Sequence, residues 1–403
     1  MASAGTAFGR WLRVALALAA VAAATAAALA PARGRPSVGR GGTSPVAAGG
    51  ARLELGPGPA VSEFARVTAP RPFRLPADHG PHFDYQTEWW YFTGNLDAAS
   101  GAHFGFQLTF FRRGLSPGAP PAGPGLASNQ VYFAHFAVTD VERGRHVATE
   151  RFARGAAGLA GATSEPFAVW LEDWKADAGS DGSWRLAARD AAGGLSLDLV
   201  VRPEKALVAH GDRGVSPKSS EPGNASYYVG YTRLSARGSI GLGGHTAEAS
   251  GLAWFDHEWS TSALGAGAVG WDWFSLQLGD GRELMYFQIR RDDGSVEPVS
   301  AGTLVEADGR TRRVASRDVQ LRVDRRWTSA ASGAAYPAAW RLAVDSEGLE
   351  LQIEPWLADQ ELRTSFVYWE GAVRVSGRSR GRPVTGQGYV ELTGYGRSMQ
   401  GVF

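Results

Sequence analysis

Apolar residues recur at every second position in many short stretches of this chain, which is the spacing of β-strands. In 103–111 the alternating positions carry Phe104, Phe106, Leu108 and Phe110. The same alternation predicts four further strands, over 195–201, 226–234, 283–289 and 349–353. Turn sequences that contain glycine predict hairpins at 279–281, 292–294, 308–309 and 347–348. Because no segment after residue 71 has the period of a long amphipathic helix, the pattern predicts an all-β fold of antiparallel sheets or barrels.

Two segments of the chain are similar to each other. Residues 89–108 and 271–289 each read as a strand, a turn that contains glycine and a second strand. Trp89 aligns with Trp271, and after a one-residue difference in the turn Leu108 aligns with Ile289. Such a repeat predicts a duplication. We therefore expect two tandem β-barrel-like domains, over 72–255 and 256–403.

The N-terminal 71 residues differ in composition from the rest. Two arginines precede an uncharged apolar run over 14–30, which ends in the small residues Ala28-Leu29-Ala30. This order is typical of a cleaved export signal. Pro31 directly after the candidate site would hinder cleavage, so the alternative is an uncleaved anchor. Residues 31–71 are rich in Gly, Pro and Ala and predict a flexible linker. The sequence thus predicts an exported protein, periplasmic or extracellular.

Composition excludes several classes of function. The 403 residues contain 41 Lys and Arg against 40 Asp and Glu, a net charge of +1. This balance gives no excess of positive charge of the kind that binds nucleic acid. The absence of Cys excludes disulfides, thiolate metal sites and a thiol nucleophile. By contrast, the chain has 14 Trp, 18 Phe and 11 Tyr, a large flat apolar surface that must be buried or must bind a ligand.

Carboxylates lie among these aromatic residues in several segments. They include Glu88-Trp89-Trp90, Trp254-Phe255-Asp256-His257-Glu258-Trp259, Trp271-Asp272-Trp273 and Tyr368-Trp369-Glu370. A carboxyl group held against indole rings is partly desolvated, which raises its pKa and makes it a usable general acid. The indole faces could also stabilise a cation that such an acid creates. The alternative is structural, with Trp and Tyr filling barrel interiors and the acids accepting their hydrogen bonds.

Other motifs carry less weight. His135 lies on an alternating strand and is expected to face a barrel interior, as a core residue or a pocket residue. The segment 78–84 has side chains able to ligate a metal but in no recognised spacing, so we predict a capped loop and no metal site. Gly265–Gly270 matches the glycine consensus of dinucleotide-binding sites, but a strand follows it instead of a helix. Ser379 lies in a Gly-x-Ser-x-Gly sequence, the consensus of a hydrolase nucleophile elbow, yet its arginine neighbours favour a charged hairpin turn.

Longer motifs carry a resemblance that covers about residues 72–398. They are 78–96 (DHGPHFDYQTEWWYFTGNL), 106–112 (FQLTFFR), 223–228 (GNASYY), 254–260 (WFDHEWS), 270–274 (GWDWF), 368–371 (YWEG) and 388–395 (GYVELTGY). In these segments the chain resembles the lipocalin-like family that contains the AttH proteins and the bacterial carotenoid 1,2-hydratases, also called hydroxyneurosporene synthases (CrtC).

The resemblance implies two tandem lipocalin-like antiparallel β-barrels around a cavity for one apolar ligand, and it implies no cofactor. The hydratases of the family add water to a terminal double bond of an acyclic carotenoid, with an Asp as proton donor. By motif, the implied catalytic residues are His257 and Trp259, with Asp256 or Asp272 as the acid. The residues expected around the ligand are Glu88, Trp90, His135, Trp254, Glu258, Trp271, Trp273, Trp369 and Glu370.

Three functions follow from the resemblance. Glu258 stands where the hydratases carry Asn, and 88–91 and 256–260 are closer to the AttH branch, whose members are exported and associated with ABC-type export systems. The first hypothesis is therefore an exported protein that binds an isoprenoid or lipid ligand and has an ABC transporter permease as its partner. The second is a hydratase of the carotenoid 1,2-hydratase type. The third is a secreted hydrolase, with Ser379 as its only motif.

Overall fold

The computed structural model describes residues 63–120, 127–262 and 264–401. Apart from strands, the regular elements are the short 3-10 helices Ala77–His79, Ser316–Asp318 and Asp345–Glu347. Within these residues, no helix has the length and apolar character needed to cross a membrane. The predicted export signal, and the predicted linker up to residue 62, lie outside the described residues.

The strands form two antiparallel sheets. The first contains β1 (Thr87–Ala98), β2 (His103–Gly114), β3 (Gln130–Asp140), β4 (Arg145–Arg154), β5 (Ala160–Ser164), β6 (Phe167–Leu171), β7 (Trp174–Ala178), β8 (Trp184–Asp190), β9 (Leu195–Pro203), β10 (Val208–Ala209), β11 (Val215–Pro217), β12 (Ala225–Leu242) and β13 (His245–Ser260). The second contains β14 (Ala268–Leu278), β15 (Glu283–Arg291), β16 (Ala301–Val305), β17 (Thr311–Ala315), β18 (Gln320–Thr328), β19 (Ala335–Val344), β20 (Leu349–Pro355), β21 (Glu361–Arg363), β22 (Val367–Ser379) and β23 (Arg382–Leu392). All five strands predicted from alternation are present, as parts of β2, β9, β12, β15 and β20.

The two sheets share the strand order around their first hairpin, and the first sheet has two more strands along its path. Along the first sheet the order is β4-β3-β2-β1-β13-β12-β9-β8-β7-β6-β5, and along the second it is β17-β16-β15-β14-β23-β22-β20-β19-β18. In both, the first strand lies between the second strand and the last one. Each sheet curls around its own core of buried side chains. The predicted all-β fold of two similar antiparallel barrels is confirmed.

The internal repeat corresponds to equivalent hairpins, but its alignment from sequence is wrong in the second strand. Trp89 pairs with Phe111 across β1 and β2, and Trp271 pairs with Ile289 across β14 and β15. Ile289 is therefore the counterpart of Phe111 and not of Leu108. Leu108 lies in the first core, whereas Ile289 faces the space between the sheets. The strands of the first hairpin are longer, and this length shifts the match by three residues.

Strand alternation gives each sheet a second buried face. On β1, Trp90 and Phe92 point into the first core while Tyr91 packs in a separate cluster with Trp273 of the second sheet. Two equivalent side chains reach across reciprocally. Asn95 of β1 donates to the Gly388 carbonyl of β23 (2.9 Å), and Gln277 of β14 donates to the carbonyl of Ala253 in β13 (2.9 Å). The sheets thus pack face to face with the approximate twofold symmetry of the repeat.

The passage between the sheets comes later than the predicted boundary at 255/256. Residues 255 and 256 both lie inside β13, whose residues 249–260 pair with the whole of β1. The chain leaves the first sheet at Ser260 and enters the second at Ala268. The last residues of β13 consequently belong to the first sheet, and the alternate side chains of Asp256 and Glu258 face the second sheet.

Candidate active site

A pocket lies between the two sheets, on the faces that point away from the two cores. Its space, open mouth included, is about 1200 Å³. The two equivalent hairpins supply opposite walls, with Trp89, Tyr91 and Phe111 on one side and Trp271, Trp273, Phe287 and Ile289 on the other. The pocket is thus lined mainly by aromatic and apolar side chains, as is usual for sites that bind small apolar molecules.

Asp256 is the acid at the wall formed by the first sheet. It is 3% exposed and lies in β13, opposite Tyr91 of β1. Its Oδ2 accepts a hydrogen bond of 2.6 Å from the hydroxyl of Tyr228, and the His210 ring lies 3.8 Å from Oδ1. Burial raises the pKa of Asp256 well above its usual value, and this outweighs the opposing hydrogen bond. The raised pKa favours the protonated form of this carboxyl group, which faces an aromatic pocket.

Aromatic residues connect this acid to the other wall. The indole N–H of Trp273 donates to the Tyr228 hydroxyl (3.1 Å), and the Trp273 and Tyr91 rings meet edge to face at 5.1 Å. Trp254 packs against Trp273 from behind, with ring centres 6.2 Å apart. Because Tyr91 and Trp273 occupy equivalent positions of the repeat, the centre of the pocket lies close to the approximate symmetry axis.

Two further acids, Glu370 and Glu391, lie on the wall formed by the second sheet. They are directly opposite each other on β22 and β23. The Trp271 indole N–H donates to Glu391 Oε2 (2.9 Å). Burial, with the neighbouring Glu391 charge, raises the pKa of Glu370 well above its usual value. Burial also raises the pKa of Glu391 to about 7, so the buried position of both carboxyl groups favours their protonated forms.

Glu258 is a pocket carboxylate that is already paired. Lys218 lies 2.8 Å from its Oε2, and the Ser226 hydroxyl also donates to this oxygen. The Lys218 ammonium lies over the rings of Tyr228 and Phe287, 5.5 and 5.0 Å from their centres. This ion pair makes Glu258 a weaker candidate for proton transfer than Asp256.

The strand alternation divides the Asp-His-Glu-Trp segment between two places. Asp256 and Glu258 line the pocket, whereas His257 and Trp259 point into the first barrel, towards Glu88 and Trp90. There, the His82 ring stacks on Trp259 with ring centres 3.8 Å apart. The resemblance grouped Asp256, His257 and Trp259 in one catalytic set. The structure places His257 and Trp259 on the opposite face of β13 from Asp256.

Glu88 is the centre of a buried charge network in that barrel. Its Oε2 accepts from Arg112 Nε (2.8 Å), and its Oε1 lies 2.8 Å from both His82 Nδ1 and His257 Nε2. Despite burial, Arg112 and the two histidines hold the pKa of Glu88 well below its usual range. The pKa of His82 is raised by the Glu88 charge against the effect of burial, while burial lowers the pKa of His257.

His82, Glu88 and His257 also have the donor atoms of a metal site, all within 4.8 Å of one another. However, a cation there would have to displace the hydrogens that these histidines share with Glu88. It would also lie beside the buried guanidinium of Arg112, which itself compensates the carboxylate charge. The donor set fits a hydrogen-bonded ion network better than a metal centre.

Several other predicted residues lie away from the pocket. Asp272 points to the opposite side of β14, where it pairs with Arg290 (2.9 Å) and accepts from Tyr395 (3.0 Å). Trp369 belongs to the core of the second barrel. His135 does not face a barrel interior as expected. It faces the second sheet, 2.7 Å from the Tyr368 hydroxyl, and burial lowers its pKa to about 3.

The hydrolase and nucleotide motifs have structural roles. Ser379 ends β22 before a two-residue turn at 380–381, and its hydroxyl contacts Arg282 and Asp280. No histidine is among the hydrogen-bond partners found for it in the described residues. Gly265–Gly270 leads into β14, so it offers no helix N-terminus for a phosphate.

Sequence reasoning missed Tyr91, Tyr228, Tyr368, Lys218 and Glu391 as pocket residues. All except Lys218 occur in the motifs that carried the resemblance. The alternation of those strands was a usable signal, since Glu391 lies two residues beyond Tyr389 on one face. The search for acids next to Trp in the sequence identified Glu370. It did not identify Glu391, which has no Trp beside it.

Comparisons with known proteins agree with this architecture. A family model described as AttH-like matches residues 66–395. The crystal structure of an AttH protein from Nitrosomonas europaea is 35% identical, with a TM-score of 0.72, covering 82% of this chain and 100% of that one. The crystal structure of kievitone hydratase from Nectria haematococca has a TM-score of 0.62 over 83% of this chain and 97% of that one. At 15% identity, this second likeness shows the fold alone.

A relative of known activity matches over a shorter segment. Kievitone hydratase of Fusarium solani subsp. phaseoli is 26% identical over 147 residues, which are 36% of this chain. The match spans 41% of that protein, less than half of its length.

Proposed function

The chain belongs to the AttH-like family, and on that premise we propose that it binds an apolar, isoprenoid-type ligand between its sheets and adds water to one of its double bonds. The observation that carries this proposal is Asp256, a carboxylic acid buried at the wall of an aromatic pocket. The similarity to a kievitone hydratase supports the same class of reaction.

The pocket supplies what acid-catalysed hydration requires. The carboxylic proton of Asp256 is transferred to one alkene carbon, which leaves a carbocation on the more substituted carbon. The faces of Trp273 and Tyr91 line the space that this cation would occupy, and aromatic faces attract cations. Water then forms the new C–O bond and loses a proton, so the net change is alkene plus water to alcohol. None of these steps needs a cofactor.

A direct assay tests this proposal. The purified protein is incubated with lycopene or citronellol in water enriched in ¹⁸O, and the products are analysed by mass spectrometry. We expect a gain of one water that carries the heavy oxygen, because the nucleophile comes from the solvent. The contradicting result is that neither alkene gives such a product although native mass spectrometry finds the alkene bound. That result would rule out the hydratase function and favour the carrier function.

The second candidate function is that of a carrier, which binds an apolar ligand without changing it. The size and apolar lining of the pocket favour it. In that role the acids would only hold the tyrosine and tryptophan side chains in place. Export, a transporter permease as partner and the identity of the ligand stay predictions from the sequence. The hydrolase has no support beyond Ser379, whose hydroxyl is engaged with Arg282 and Asp280 in a hairpin.

A further inference from the structure

Hydration needs a base for the attacking water as well as an acid for the alkene. Asp256 accounts for the acid, and the opposite wall of the pocket contains the acid pair Glu370 and Glu391, which the steps above do not use. Asp256 lies opposite Tyr91 on β13, and Glu391 lies opposite Trp273 on β23. Because Tyr91 and Trp273 are equivalent in the repeat, Asp256 and Glu391 face the pocket from equivalent positions of the two sheets.

Two buried polar atoms at this pair have unused hydrogen-bonding capacity. The Tyr91 hydroxyl and Glu370 Oε1 are both buried, and neither makes a hydrogen bond of acceptable geometry within the described residues. The Tyr91 hydroxyl is nevertheless close enough to Glu370 to affect its pKa. Buried polar groups are normally satisfied by protein or by ordered water. The arrangement therefore offers a polar place for one water, or for the hydroxyl of a product, at the edge of an apolar pocket.

We propose that Glu391 is the general base of the reaction: it holds the attacking water, and Glu370 is its protonated neighbour. This inference rests on the proposed hydratase function and adds the residue that selects water as the nucleophile. Two carboxylates that lie opposite each other on neighbouring strands repel when both are charged. One of them therefore keeps a proton, and the other can accept a proton from water.

The proton and electron changes balance with no further reactant. A lone pair of water forms the C–O bond to the carbocation, one O–H bond of that water breaks, and its proton passes to Glu391. Asp256, which became a carboxylate when it protonated the alkene, regains a proton from solvent, and Glu391 releases one. Asp256 and Glu391 are two buried carboxyl groups on opposite walls of the pocket, and such a pair can divide the acid and base roles.

The test is the fate of the carbocation in three variants, measured in D₂O with citronellol or lycopene. In Glu391→Gln the acid still protonates the alkene, but water capture loses its base. We expect at least about a 100-fold loss of alcohol. Isomerised or deuterium-labelled alkene should persist, because the cation can return a proton to Asp256. Glu370→Gln removes the second carboxyl group of the pair and its repulsion of the Glu391 charge, so the acidic limb of its pH profile should move to lower pH.

The exposed Glu350→Gln of β20 is the matched control, and circular dichroism checks that each variant is folded. Equal alcohol formation by wild type and Glu391→Gln would overturn the proposal while leaving the hydratase intact. Loss of alcohol and of labelled alkene together in Glu391→Gln would assign Glu391 to alkene protonation or binding and would also overturn it. No alcohol from the wild type would overturn both the base and the proposed function.

A pH profile gives an independent readout. The base acts as a carboxylate, so turnover should fall as the pH drops below about 7, the pKa of Glu391. The groups that face Glu391 from the surrounding elements are Glu370, Trp271, Glu258, Lys218 and Tyr91. Glu391→Gln should remove this acidic limb, and a limb that persists in that variant would contradict the assignment.

Discussion

Replacement of Asp256 by Asn stops water addition: we expect turnover to fall by about 10²–10⁴-fold, with ligand binding kept. Asn has nearly the same shape as a protonated Asp and can occupy the same place beside Tyr228. It cannot deliver a proton to a carbon atom. Since the pocket is otherwise unchanged, native mass spectrometry should still detect bound alkene in the variant.

The competing acid is Asp272, and the structure separates the two. Asp272 is paired with Arg290 on the side of β14 that faces away from the pocket. The exposed Asp198→Asn of β9 serves as the control for a neutral amide on the same sheet as Asp256. If Asp272→Asn loses the turnover of the folded protein and Asp256→Asn keeps it, the proton donor lies outside the pocket and the assignment is wrong.

Replacement of Glu88 by Gln lowers the free energy of unfolding by about 3–5 kcal/mol, because it leaves the buried Arg112 charge uncompensated. Both side chains are fully buried, and the other Arg112 donors bond only to neutral oxygens of Gln130, His82 and Tyr85. Urea unfolding followed by tryptophan fluorescence measures the change. The exposed Glu350→Gln should stay within about 0.5 kcal/mol of wild type.

A double variant tests the reason for this loss. Glu88→Gln combined with Arg112→Met removes both charges, so it should be more stable than Glu88→Gln alone.

The contribution of Glu88 to the stability of the fold also depends on pH. Because the pKa of Glu88 is lowered on folding, its contribution is present above the unfolded pKa and is lost as the pH falls through the folded one. Equal stability of wild type and Glu88→Gln would show that Glu88 is not the partner that compensates Arg112.

Local sequence patterns predicted five of the strands and the presence of a duplication. The alternation in 103–111 located both β2 and its core face, because the core residues recur at every second position. The same alternation rule separates Asp256 from His257, so the division of that segment between two faces was already implicit in the sequence. The motif match placed Asp256 and His257 in one site because they are neighbours in the sequence. Neighbouring residues of a strand, however, point to opposite faces of the sheet.

The location of the pocket could not be obtained in this way. The resemblance to lipocalin-like barrels suggested a cavity inside a barrel, yet the described interiors contain large side chains such as Trp174 and Trp340. The pocket instead results from the packing of two curled sheets, which joins residues as distant in sequence as Tyr91 and Glu391. Such long-range packing depends on how the curled sheets fit together, and no local period encodes it.

The central claim is that the ligand occupies the space between the sheets, and photo-crosslinking tests it most directly. A farnesol analogue that carries a diazirine is bound to the wild-type protein, irradiated, and the labelled residues are identified by tandem mass spectrometry. Labels on Trp273, Phe287 and Tyr368, which line the pocket, are the predicted result. Labels confined to barrel-core residues such as Phe136, Leu197 and Leu342 would contradict it.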